Sequence, residues 1–334
     1  MGYRNHTGIR NQIRGGAALL VLLLFACGPA AEPTVSAVPV ILPLEFDGGA
    51  PDIEFSGICW WGDELFILPQ YPETGGRGVY VLHRDSLARA IGEVEANVRV
   101  APLRPRRIPT DPGDVPERVE AYDGLEALSI RGGRCFALAE FGSGASPWGS
   151  HLITGSLARD GSGIRFERLG DTTIAGPQVR ENYTHEALVV TDDEVWVLCE
   201  LNGRRIVDRP LLARFDHDLQ PLSPLQMPAL EYRITDATSL DEQARFWVLN
   251  LFWPPDTATV EPQRESGPVE RLIPLKREGE AIVRDRSRPT LDLRNQGDHP
   301  MHNWEGVARW GEGGFLLVTD SYPENLLAYV AIPD

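Results

Sequence analysis

Apolar and polar positions alternate along most of the chain in short runs, and five of these runs repeat a single plan. The segments 55–70, 125–140, 185–200, 235–250 and 304–320 each open on a polar residue followed by a small one: Ser56-Gly57, Glu126-Ala127, Glu186-Ala187, Asp236-Ala237 and Glu305-Gly306. A short apolar strand, a turn and a second apolar strand follow, and the second strand ends on Gln70, Glu140, Glu200, Asn250 or Asp320. Period-two alternation interrupted by turn residues is the mark of β-hairpins. Regular antiparallel register would pair Ile130 with Phe136, Leu128 with Leu138 and Glu126 with Glu140. The same spacing opposes Ser56 to Gln70, Glu186 to Glu200 and Asp236 to Asn250.

A third apolar run follows each hairpin, at 78–84, 151–157, 210–216, 271–276 and 326–333. Fourth strands are expected near 98–103, 164–169, 225–230 and 281–293. The fifth repeat reaches the C-terminus without one, while the run Val38–Phe46 precedes the first repeat unassigned. A ring satisfies both observations, because the N-terminal strand completes the last sheet and removes an exposed edge. The pattern therefore predicts an all-β propeller of five four-stranded blades, with a sixth, degenerate blade in a long loop as the alternative. The small residues at 57, 127, 187, 237 and 306 suit the crowded axis where inner strands converge.

Composition adds detail. At 42% hydrophobic and 24% charged, with 33 Gly and 27 Pro, the chain reads as globular and rich in turns. A net charge of −16 argues against nucleic acid as a partner, since phosphate binding needs clustered cations. Residues 1–26 carry Arg4, Arg10 and Arg14, then the apolar run Ala17–Ala26, which reads as an export signal too short to span a bilayer. Leu24-Phe25-Ala26-Cys27 resembles a lipobox, so Cys27 is expected to be lipidated, with 27–36 as a tether and 37–334 as the propeller. The protein would then be a monomer on the periplasmic or cell-surface side, touching membrane through its lipid alone. Removing residues 1–26 takes three cations and no anions, leaving a charge of −19. Cys59, Cys135 and Cys199 remain, an odd number that makes no complete disulfide framework.

Candidate chemistry gathers at one mouth of the channel. Seven acids are expected there: Glu126, Glu140, Glu186, Glu200, Asp236, Glu305 and Asp320, with Ser56, Gln70 and Asn250 as neutral neighbours. Like charges so close need an offset. Three remain open: a hard divalent cation such as Ca²⁺ held by these oxygens, arginine partners from the loops (Arg77, Arg204, Arg205, Arg209, Arg264), or shared protons with acid–base chemistry. His185, beside Glu186, is a candidate for proton transfer with Glu186 and Glu126. Aromatic residues after the second strands (Tyr71, Phe141, Trp148, Phe252, Trp253, Tyr322) suit either ligand contact or packing. Neither a G-x-S-x-G elbow nor a phosphate-binding loop occurs.

Several motifs together resemble the phytase-like family, also described as esterase-like activity of phytase. They are Ser56-Gly57-Ile58, Asp123-Gly124-Leu125-Glu126-Ala127, Asn182-Tyr183-Thr184-His185-Glu186-Ala187-Leu188, the segment 234–240, and Asn303-Trp304-Glu305-Gly306 running to Asp320-Ser321. The resemblance implies an exported β-propeller and a cation-dependent hydrolase of phosphoesters or esters. The chain departs from classical propeller phytases in lacking dense Asp clusters with adjacent Lys and Arg, and in having Asn250-Leu251 where Glu-Arg is frequent. A non-catalytic propeller presenting a face to a periplasmic partner is the alternative expectation.

Overall fold

A computed structural model describes residues 33–47, 53–74, 78–144, 146–176, 179–252, 268–293, 301–321 and 324–333. The export signal, Cys27, Arg77, Arg264, Trp253 and Tyr322 lie outside these residues.

Five antiparallel hairpin sheets follow the five repeats, the third and fourth joined by one parallel pair, Gln226 with Ala281. The first comprises Phe55–Trp61, Glu64–Pro69, Val79–His83 and Arg106–Ile108. The second runs Tyr122–Arg131, Arg134–Ser143, Ser146–Leu157 and Ile164–Ile174, with Thr110–Asp111 added in parallel at its edge. His185–Val190, Glu194–Cys199, Leu211–Asp216 and Pro221–Gln226 make the third. In the fourth, Arg233–Ala237, Arg245–Phe252 and Val269–Glu278 are followed by Ala281–Arg284 and Thr290–Leu293, both paired with Val269–Glu278. The fifth holds Trp304–Trp310, Gly314–Thr319 and Leu327–Ala331, and Val40–Leu42 pairs antiparallel with its third strand. The N-terminal strand therefore closes the last sheet, as the repeat pattern requires.

Apolar side chains between successive sheets complete the ring. Phe66 and Ile108 pack on Leu128 and Ile153 between the first two sheets, and Phe136 and Leu138 on Leu188 and Val197 between the next two. Trp196 meets Phe246 between the third and fourth, and Trp247 meets Phe315 between the fourth and fifth. Ile58 and Leu65 pack on Leu316 and Val318, joining the fifth sheet back to the first. The chain is a β-propeller, and among the described residues five sheets share these five seams. A helix, Arg84–Glu95, follows the third strand of the first sheet and was not expected there. His83 caps it by accepting the Asp85 N–H at 3.2 Å, and its buried Leu87, Ala90 and Ile91 seal the outer rim. The strand Thr34–Ala37 lies parallel to Thr290–Leu293, so ordered sheet begins inside the stretch expected as tether.

Register differs from expectation by one residue in each of the four hairpins for which pairs were drawn. Ile130 pairs with Cys135, Leu128 with Ala137 and Ala127 with Leu138, so Glu126 and Glu140 are not directly opposed. Each inner strand then carries a β-bulge near its start, between residues 55 and 57, 125 and 127, 185 and 187, 234 and 236, and 304 and 306. The extra residue re-aims a side chain that strict alternation would have turned the other way. That residue is Ser56, Glu126, Glu186, Thr235 or Glu305.

The fourth repeat is thus displaced by one against the sequence alignment. Thr235, not Asp236, matches the mouth acids, and its hydroxyl donates to Trp304 O at 2.8 Å just as Ser56 donates to Leu125 O at 2.6 Å. Asp236 falls at the small-residue level of Gly57, Ala127, Ala187 and Gly306. This level is tight: a Cβ on Gly306 would lie 3.2 Å from Gly57 backbone carbons. The Asp236 carboxylate accepts N–H bonds from Ala237 and Val307, each at 2.7 Å, and from Ile58, tying three inner strands together. Asp236→Ala should therefore cost roughly 3 kcal/mol or more in urea unfolding, since buried N–H groups lose their acceptor. A loss below about 1 kcal/mol would deny Asp236 this role.

Candidate functional site

The bulged ends of the inner strands open onto a cavity of about 410 Å³, lined by residues that include Glu54, Ser56, Gln70, Tyr71, Asp123, Glu126, Glu140, Asn182, Glu186, Arg233, Asn303, Glu305 and Asp320. Of the seven acids expected at the mouth, Glu126, Glu140, Glu186, Glu305 and Asp320 line it together. Glu200 is fully buried behind it, ion-paired with Arg233. Asp236 sits at the axis as described, away from the lining. Asn250 also lies elsewhere: its amide donates to Glu231 O and Arg233 O and its oxygen accepts from Arg271, so it links the three strands of the fourth sheet around it.

His185 does not line the cavity. Its Nδ1 stands 3.2 Å from Ser150 Oγ inside the seam between the second and third sheets, and desolvation there lowers its pKa to about 4. A ring so disposed is neutral near pH 7 and is not a proton donor at the mouth. Tyr71 lines the cavity and donates to Asp123 at 2.7 Å, whereas Phe141 packs on His151 and Phe252 on Tyr232.

Arg233 is the residue that sequence reasoning missed. Among the described residues it is the cation lining the cavity; Arg204, Arg205 and Arg209 are exposed elsewhere. It pairs with Glu200, reaches Glu305 at 3.7 Å, and its guanidinium lies 5.5 Å from the Tyr183 ring centroid. Once the fourth repeat is shifted by one, Arg233 occupies the position of Glu54, Thr184 and Asn303, two residues before the bulged residue. That recurrent position was the available signal.

The carboxyl groups divide by environment. Glu126 accepts from Gln70 at 2.8 Å, Asp320 from Asn303 at 2.7 Å and Glu140 from the Thr184 hydroxyl at 2.6 Å. Glu186 accepts no hydrogen bond from the described residues, and it feels Glu200, Glu126, Glu305 and Glu140 together. Burial first, then these like charges, pushes Glu186 well above the ordinary carboxyl range. Burial likewise raises Glu126, with Glu140 adding to it, and raises Glu305 against the pull of Arg233. Glu140 is pushed up by burial to about 7, the Thr184 bond opposing the rise. Held protons are one answer to this repulsion.

A hard cation is the other answer, and the donors are the oxygens it prefers. Among the described residues, however, no three Asp, Glu, His or Cys side chains are grouped so as to hold a metal ion.

Comparison with known proteins speaks to the fold. No protein-family model matches the chain, and no curated protein does. Among solved structures, the catalytic domain of the Coprinopsis cinerea GH62 α-L-arabinofuranosidase is similar at a TM-score of 0.52 and 8% identity, over 90% of this chain and 97% of that one. An α-L-arabinofuranosidase of Clostridium thermocellum (TM-score 0.43, 12% identity, 82% and 83% covered) and the soluble aldose sugar dehydrogenase of Escherichia coli (0.42, 10%, 89% and 99%) are more distant matches. Fold and site together define a β-propeller with a carboxyl-lined mouth.

Two outcomes follow for stability. The raised carboxyls keep protons in the folded chain at pH values where the unfolded chain has released them, so stability is fully present below about pH 4.5 and is lost as pH rises through about 7. Thermal melting should show that fall, and Glu186→Gln should lie above wild type at about pH 8 while matching it at about pH 4; parallel curves would count against the proton-holding cluster. Arg233→Met should cost about 3–5 kcal/mol by leaving Glu200 buried without its partner; a loss under 1 kcal/mol in urea unfolding would mean that the pair contributes little.

Proposed function

We propose that the channel mouth is the active site of a hydrolase that cleaves a neutral or cationic ester by carboxyl acid–base catalysis. The observation that supports it is the split between Glu186, buried and without a hydrogen bond, and Glu140, held as an acceptor by Thr184. Two carboxyls whose surroundings set different proton affinities divide naturally into acid and base. Glu140 takes a proton from water as its oxygen attacks the carbonyl carbon, and Glu186 gives its proton to the departing alkoxide. The ester and one water become acid and alcohol, and solvent exchange returns both carboxyls to their starting states. Glu126, bonded to Gln70, contributes to the charge that keeps Glu186 protonated.

The same electrostatics select the substrate. A phosphoester would enter a cavity lined by carboxyls, whose lining cation Arg233 is already paired with Glu200 and Glu305. A neutral ester avoids that repulsion, and Tyr71, Asn182 and Asn303 offer polar contacts for it. The resemblance to the phytase-like family supports hydrolysis in general. The basic start and apolar run before Cys27 support export and lipid attachment, with the propeller outside the membrane.

Purified protein assayed with neutral, cationic and phosphate esters should turn over the first two classes and not the third. Glu186→Gln and Glu140→Gln should each lower kcat by about 10²–10⁴. Absence of turnover on every class, or full activity in both variants, would reject the hydrolase reading. Added Ca²⁺ and EDTA should leave the melting temperature unchanged, and a rise with Ca²⁺ reversed by EDTA would return the site to cation binding.

A further inference from the structure

A chain of buried polar groups runs through the seam between the second and third sheets and ends on Glu140. His185 Nδ1 lies 3.2 Å from Ser150 Oγ, Ser150 Oγ lies 3.1 Å from Thr184 Oγ1, and Thr184 Oγ1 lies 2.6 Å from Glu140 Oε1. Ser150 and Thr184 are fully buried, and His185 and Glu140 are 5% and 4% exposed. The elements are pinned around it: Thr184 O accepts the Glu200 N–H at 2.9 Å, and Ser150 pairs across the second sheet with Glu140.

Hydroxyl groups carry one hydrogen each, and a carboxylate oxygen carries none. With Glu140 as the acceptor, Thr184 spends its hydrogen on Oε1. Thr184 can then only accept from Ser150, and Ser150 can only accept from His185. The Nδ1 atom must bear the proton, so the neutral ring is the Nδ1–H tautomer. His185 is well suited to this, because burial keeps the ring uncharged. Every donor in the chain thus points toward Glu140.

We propose that His185, Ser150 and Thr184 form a positioning relay that holds Glu140 Oε1 as a permanent acceptor and leaves Oε2 as the oxygen that works in the cavity. Oε2 takes no hydrogen bond from the described residues, and Glu140 lines the cavity. The relay gives Glu140 something that Glu186 lacks, and so makes the two carboxyls unequal. It also accounts for a buried histidine beside the mouth that makes no contact with the cavity. The inference rests on Glu140 being the base, but its geometry can be tested without any substrate.

The experiment is the ¹⁵N chemical shift of the His185 imidazole in the full chain, which separates a protonated ring nitrogen from a bare one. At about pH 8 the wild type should show a neutral ring with its proton on Nδ1. Thr184→Val removes the acceptor that orients Ser150; the Ser150 hydroxyl is then free to donate to Nδ1, and the ring should move to the Nε2–H tautomer. Thr184→Ser keeps the hydroxyl and should keep Nδ1–H. Glu140→Gln, two hydroxyls away from the ring, should also lose the single Nδ1–H form, because the amide can donate where the carboxylate could not. An Nε2–H ring in wild type, or a tautomer indifferent to both Thr184→Val and Glu140→Gln, overturns the relay. If the pattern holds while no ester is cleaved, the relay stands and the hydrolase reading falls; if ester is cleaved while the tautomer is indifferent, the reverse is true.

Discussion

The site depends on one backbone irregularity repeated around the ring. Each inner strand needs a small residue at the axis, where a Cβ on Gly306 would already crowd Gly57. Each also needs its neighbouring residue turned toward the mouth. Plain alternation cannot do both, because adjacent side chains leave a strand on opposite faces. The bulge supplies the missing residue and the extra twist, and it occurs in all five described inner strands. Carboxyls at these places are consequently close together, partly desolvated and fixed by backbone that the inter-sheet cores hold in place.

From that geometry the electrostatics follow, and the fourth sheet decides their outcome. Where the second, third and fifth sheets place Glu126, Glu186 and Glu305, the fourth places Thr235, and two residues earlier it places Arg233. The mouth therefore has an acidic majority and one cationic sector. Arg233 is paired with the buried Glu200 and pulls on Glu305 and Glu140, but no such cation faces Glu186 among the causes of its rise. Low dielectric strengthens what is left, and protons are the cheapest counterions available to groups placed this way. Glu186, surrounded by acids and lacking a donor among the described residues, is pushed up with them, while Glu140 is steadied by Thr184.

Much of this was readable from residue order. Recurrence of polar-small pairs and of apolar runs foretold the hairpins, the ring and the closing strand near 40–42. Five of the seven mouth acids follow from the same recurrence. What failed did so for definable reasons. Pairings such as Glu126 with Glu140 assumed unbroken register, and a bulge leaves no mark in a hydrophobic pattern. Because the fourth repeat was aligned on its acid, Asp236 was placed at the mouth and Arg233 was overlooked, although Thr235 and Ser56 share a hydroxyl and the same cross-sheet bond. His185 was judged by its neighbour in sequence, whereas its side chain enters a seam. The helix Arg84–Glu95 had a visible apolar spacing in Leu87, Ile91 and Val94, in the stretch left unassigned between the expected strands at 78–84 and 98–103.

The central claim is that Glu126, Glu140, Glu186 and Glu305 form one proton-holding cluster at the mouth. Its most direct measurement is a ¹³C-carboxyl NMR titration of glutamate-labelled protein. Resonances of these four residues should still be changing well above the ordinary glutamate range, with Glu140 near 7 and its titration coupled to the others. Four independent titrations near about 4.3, as in unstructured peptides, would contradict it.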